Sequence, residues 1–213
     1  NRYILFFMRQ KEHGNIVVYL LIAVVLLGGL TFTMSRSNQG ESTESQLSQA
    51  EAQALAVRIL EYKTSMDMAI QNMADYGVDI EDISVMPPTF SGFDSEPPAH
   101  ITKLFHPAGG GVNFWSMPDS IATDPTLSAF VFSVRNFEWT PTSDPEPVFL
   151  ARRIKKEVCE ELNKMVLGTT EPLTGTNDPA VTANCPDCAE KIAYCLHIPT
   201  GDVYFYYHLL EVN

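Results

Sequence analysis

From Asn15 to Met34 the chain reads NIVVYLLIAVVLLGGLTFTM, twenty residues without one charge. A helix packed on a soluble core keeps a polar face at 3.6-residue spacing, and this stretch has none. At about 1.5 Å rise per residue it reaches roughly 30 Å, the depth of a bilayer's hydrocarbon layer, and so predicts a transmembrane helix. A cleaved signal peptide would carry an apolar core of about 7–15 residues and then a small-x-small cleavage site. This run is longer and ends in Thr-Phe-Thr-Met-Ser-Arg, which favours an uncleaved anchor. The earlier apolar run, Tyr3 to Met8, is too short to span anything.

Beyond the anchor, Ser35 to Ser45 is polar, a hinge or the start of a long helix. Leu55, Ile59, Tyr62, Met66, Ala69 or Ile70, and Met73 recur every three or four residues. One apolar face therefore runs through a helix predicted over Gln46–Tyr76, with Gly77 placed to end it. Val78 to Pro125 is punctuated by MPPTF, SEPPAH, HPAGGGV and SMPDS, which predicts ordered surface loops. Gly109–Gly111 lacks the spacing and following lysine of a phosphate loop, so a tight turn is expected. Phe114 and Trp115 are expected to be buried against the sheet.

Leu127 to Arg135 alternates Phe130, Phe132 and Val134 on one side and predicts a strand. Pro147 to Val166 reads as a second helix with Leu150, Ile154, Val158, Leu162 and Met165 on its buried face. Gly168 to Asn184 reads as a loop. Lys191–Ile198 and Val203–Val212, joined at Pro199–Asp202, read as a closing hairpin whose Gly201 suits the turn. The sum is an α+β protein with an antiparallel sheet of three to five strands. Its organisation is a basic segment at 1–14, a transmembrane helix at 15–34, a stalk and amphipathic helix at 35–77, and an α+β domain at 78–213.

Charge orients this arrangement. Arg2, Arg9 and Lys11 precede the anchor with only Glu12 against them, whereas the whole chain has 14 basic and 26 acidic side chains and a net charge of −12. The positive-inside rule keeps the amino-terminal segment cytoplasmic and places residues 35–213 outside the membrane. An acidic exterior domain does not attract phosphate backbones, so a nucleic-acid partner is not expected.

A short basic leader ending in glycine, about twenty apolar residues and then a polar helix resemble type IV pilins and pseudopilins. Met8 offers a start that opens Met-Arg-Gln-Lys-Glu-His-Gly, and the resemblance covers residues 8 to about 76. It implies leader cleavage after Gly14, with Asn15 as the first mature residue. The family has an apolar residue first and a glutamate fifth in the mature chain. Here those positions hold Asn15 and Tyr19, which suits a minor or atypical subunit. The segment FHPAGGGV at Phe105–Val112 also resembles one in bacterial pilin-like membrane proteins. The family implies a periplasmic domain on the inner membrane, carried on occasion into a surface filament, with the bilayer and other pilin-like subunits as partners. Ala23, Gly28 and Gly29 would let neighbouring helices approach closely.

Cys159, Cys185, Cys188 and Cys195 all fall outside the predicted anchor, where an even count points to disulfides. Three pairings are possible. Cys159–Cys195 with Cys185–Cys188 is preferred, because it ties the second helix to the hairpin. Cys185-Pro-Asp-Cys188 also has redox spacing, but it lies in a late loop and not after a strand in a βαβ unit. Cys185, Cys188, Cys195 and His197 supply zinc-type ligands, at a cramped separation. Arg152, Arg153, Lys155 and Lys156 form a basic cluster read as a solvated helix face or a contact for an acidic neighbour. Glu81-Asp82 and Glu160-Glu161 read as solvated acids. No nucleophile elbow or histidine–carboxylate constellation appears, so neither an enzyme nor a cofactor is expected. The expected function is structural, a pilin-like subunit; the alternative is a signal-anchored periplasmic binding or scaffold domain that does not polymerise.

Overall fold

Ser48 opens the folded region of the computed structural model, which describes residues 47–95, 99–140, 145–176 and 178–210. The chain divides into two compact units at Ser45/Gln46. The predicted leader and membrane helix lie in the first unit, outside the described residues. Among the described residues no helix is long and apolar enough to cross a membrane.

The Glu51 amide donates to the Ser48 hydroxyl at 3.3 Å and the Ser48 amide donates to the Glu51 carboxylate at 3.0 Å. This reciprocal capping satisfies two orphan donors at once and starts helix α1 (Gln49–Asp75). Ala52, Ala56, Ile59, Tyr62, Met66, Ala69, Ile70 and Met73 are its buried positions, as the spacing predicts. Gly77 adopts φ 84 beyond the last turn, a left-handed conformation that a side chain would strain.

The sheet has five strands, β1 (Ala129–Arg135), β2 (Glu146–Ile154), β3 (Leu173–Thr174), β4 (Ala193–Ile198) and β5 (Val203–Leu209), in the order β1-β2-β5-β4-β3. Neighbours are antiparallel except β3, which lies parallel to β4. The sheet is therefore mixed rather than wholly antiparallel, and the 168–184 stretch expected to be a loop supplies its last strand. The closing hairpin has the predicted turn and slightly shorter strands.

Pro147 to Val166 is not one helix. Its first half is β2, the strand between β1 and β5, and only Lys156–Leu167 forms helix α2. The reason is burial on both sides. Phe149 and Ala151 belong to the helix-facing core, while Val148 and Leu150 belong to the opposite one. A strand covered on both faces shows no alternation, so its apolar run imitates helical spacing. At Arg153 the backbone turns to φ 54 and the register with β5 shifts. That bulge puts Ile154 back into the core and leads through Lys155 into α2. The basic cluster thus spans a strand end, a bulge and a helix start. It is not a helix face.

α1 and α2 cover the sheet face that carries Phe132, Phe149, Ala151, Cys195 and Tyr206. Phe137, Ala180, Cys185 and Cys188, from the segments around them, cover the other, formed by Val148, Leu150, Tyr194, Leu196, Phe205 and Tyr207. Cys159–Cys195 joins α2 to β4 with Cα atoms 5.6 Å apart, and Cys185–Cys188 closes a short loop at 5.3 Å. This is the preferred pairing. The sheet lies between the two disulfides, so Cys185, Cys188, Cys195 and His197 are not gathered into one ligand set.

Candidate functional site

The outward side of α1 and the triple-glycine segment form an open groove of about 530 Å³, lined by Arg58, Glu61, Met68, Asn72, Gly111 and Trp115 among others. Its floor is aromatic. Tyr62, from the buried stripe of α1, stacks edge-on to Trp115 at 5.4 Å and lies 5.3 Å from Phe130 of β1. The Trp115 amide donates to the Tyr62 hydroxyl at 3.4 Å. Burial pushes the Tyr62 phenol above its ordinary value, and this hydrogen bond opposes the shift. Trp115 is thereby fixed over the helix, and the Arg58 guanidinium sits 4.5 Å from its ring centre, a cation–π contact. Met68, 56% exposed, is the groove's accessible apolar side chain.

The opposite wall depends on glycine. A Cβ at Gly110 would come 2.5 Å from the Leu104 carbonyl oxygen, and one at Gly109 would collide with the Lys103 carbonyl. Gly111 has φ 65. The three glycines thus serve a tight turn with close backbone approach, as the sequence predicts. Lys103, wholly buried, donates from Nζ to the Phe93 carbonyl beneath this turn. The His100 and His106 rings stack 4.1 Å apart beside it. Phe114, expected to be buried, is 38% exposed and meets Phe105 edge-on.

Chemically the groove offers a guanidinium already engaged by an indole, a carboxylate, an amide and a thioether. Among its lining residues no nucleophile lies against a base, and among all described residues no group of three or more His, Cys, Asp or Glu side chains could hold a metal. The groove can receive an apolar or mixed side chain.

Three other polar arrangements are built into the fold. Asn163 of α2 is wholly buried; its Oδ1 accepts the Cys195 amide at 2.7 Å and its Nδ2 donates to the Glu171 carbonyl at 2.6 Å. It therefore clamps α2 to β4 beside the disulfide. Glu161 is buried as well, accepting from Gln49 at 3.2 Å and pairing with Lys164 at 3.4 Å, which corrects the reading of Glu160-Glu161 as a solvated pair. On β5, His208 Nδ1 lies 2.7 Å from the Tyr206 hydroxyl. Burial and the nearby Lys63 push this imidazole down to about 4. Tyr194 Oη and Trp139 Nε1 are buried with no hydrogen-bond partner among the described residues.

Of the residues singled out in the sequence, Gly14, Asn15, Ala23, Gly28 and Gly29 lie outside the described residues. All four cysteines are buried in disulfides. Sequence reading did not single out Arg58, Asn163 or Lys103. Trp115, four positions past Gly111, was the available signal for the groove. Compared with protein-family profiles, with curated proteins and with solved structures, the chain finds no match.

Proposed function

We propose that the chain is a membrane-anchored, pilin-like structural subunit of a bacterial envelope filament or secretion apparatus. The observation that carries this reading is an order of parts. A charge-free twenty-residue segment precedes a 27-residue capped helix, which lays one apolar face on a sheet closed by a carboxy-terminal hairpin. In this reading Asn15–Met34 holds the subunit in the bilayer until assembly. It then exchanges lipid for neighbouring helices, with Ala23, Gly28 and Gly29 admitting close approach. The α+β unit stays outside as a rigid head. The disulfides support an oxidising compartment.

Tyr19 favours a second reading. Without a glutamate at that position the helix lacks the charge that, in the resembling family, pairs with a neighbour's amino terminus. A signal-anchored periplasmic scaffold domain that never polymerises has no need of it.

The test is the amino terminus of the protein taken from its native membrane, by intact mass and terminal sequencing. A chain beginning at Asn15, N-methylated, is the expected result. A chain that keeps residues before Gly14 overturns the filament reading and leaves the tethered domain.

A further inference from the structure

The two edges of the sheet are treated differently by the fold. β3 is two residues long, follows Pro172, and is shielded by the turn at Thr182–Asn184. A Cβ at Gly175 would come 2.9 Å from the Asn184 carbonyl oxygen, and Thr176 donates its amide to that same oxygen at 3.2 Å. The amide just past β3 is thus already taken by this turn. β1, at the other edge, is seven residues long with an unbroken register to β2. Among the described residues, no backbone hydrogen bond reaches its outer side.

Exposed edges in monomeric proteins are usually blunted by lysine, proline or a bulge, because an unpaired row of amides and carbonyls is a template for another strand. AFVFSVR has none of these. Its one charge, Arg135, is at the far end and pairs with Asp178 at 3.3 Å. Phe130, Val131 and Val134 are only half-buried.

Going beyond the assembly reading above, we propose that β1 is a docking edge for a second copy of this chain. It pairs antiparallel with the partner's β1 about a two-fold axis at Phe132. The sequence is self-complementary in that register. Phe130 falls opposite the partner's Val134, an aromatic on a β-branched residue. Val131 falls opposite the partner's Ser133, and Arg135 opposite the partner's Ala129, so no like charges meet. One open edge and one covered edge allow like to pair with like and stop. The product is a closed dimer with a continuous sheet, not a chain growing edge to edge.

The experiment uses the full chain in mild detergent. One preparation carries Val131→Cys and another Ser133→Cys, and the two are oxidised separately and mixed. The register places Val131 and the partner's Ser133 side by side, whereas Val131 and the partner's Val131 are diagonal and too far apart for a disulfide. Cross-linked dimer in the mixture, and its near absence in either sample alone, is the expected result. Ser133→Lys, with an unchanged melting temperature, is expected to convert the native dimer to monomer by light scattering. Four results overturn the proposal. These are a monomeric wild-type chain, equal cross-linking in all three samples, a dimer indifferent to Ser133→Lys, or an extended segment of a different protein on the edge. Leader cleavage at Gly14 does not enter this readout, so failure here and failure of the filament reading are separable.

Discussion

Removing the Cys159–Cys195 bridge is expected to cost about twice as much stability as removing Cys185–Cys188. A disulfide acts mainly by restricting the unfolded chain, and that restriction grows with the loop it closes. Cys159 and Cys195 are separated by 36 positions and Cys185 and Cys188 by three. The loop-entropy relation gives about 4 kcal/mol for the first and about 2 kcal/mol for the second. The perturbation is the paired change Cys159→Ala with Cys195→Ala, compared with Cys185→Ala with Cys188→Ala. Alanine avoids a buried hydroxyl, and changing both partners avoids a buried free thiol. All four sulfurs are fully buried, so packing losses in the two variants are of the same kind and the difference between them isolates the loop term. Urea titrations of the full chain in mild detergent, followed by Trp115 and Trp139 fluorescence, supply the free energies. Equal losses, or a larger loss for the short loop, would refute the reasoning.

Two other perturbations address the polar groups inside the fold. Asn163→Leu strands the buried Cys195 amide and is expected to cost about 1–3 kcal/mol, with faster hydrogen exchange at that amide; unchanged exchange would remove the clamp role. His208 is pushed down to about 4 from an ordinary 6.5, so between those values the unfolded chain binds more protons than the folded one. Stability is therefore full above about pH 6.5, falls as pH drops toward 4 and levels off below, by at most about 3 kcal/mol. The facing groups are Lys63 of α1, Tyr206 of β5 and the neutral Phe149 and Ala193 on the flanking strands. His208→Gln should flatten that part of the urea-midpoint profile, and an unaltered slope in the variant would contradict the assignment.

Legibility in the sequence followed how local each cause was. α1 could be read because its stripe and Gly77 lie on one continuous segment, although the Ser48–Glu51 cap that sets its start at Gln49 was not read. The hairpin could be read because Gly201 marks the turn between two apolar runs. β2 could not, since its pattern reflects a covering of both faces supplied by residues far along the chain, among them Tyr62, Cys185 and Cys188. The groove was hidden for the same reason. Arg58 and Trp115 are 57 positions apart, and only the fold lays one over the other. Asn163 read as an ordinary polar helix residue because its two partners, the Cys195 amide and the Glu171 carbonyl, are backbone groups that no side-chain pattern records.

A sheet buried on both faces and tied to α2 by a disulfide has little freedom to bend, so any interaction it makes must use surfaces already formed. Among the described residues two such surfaces stand out, and they differ in kind. The groove beside α1 is a side-chain surface: an aromatic floor with Met68 and Arg58 at hand, suited to receiving one protruding residue and adaptable through the thioether. The β1 edge is a main-chain surface. It requires an extended segment of defined direction, and its affinity is insensitive to much of the partner's sequence. A sheet that needed protection from association at every edge would have blunted β1 as it covers β3. The covering of one edge by the Thr182–Asn184 turn, with the other left as an unbroken seven-residue strand, is therefore the asymmetry expected of a head that pairs once and then stops.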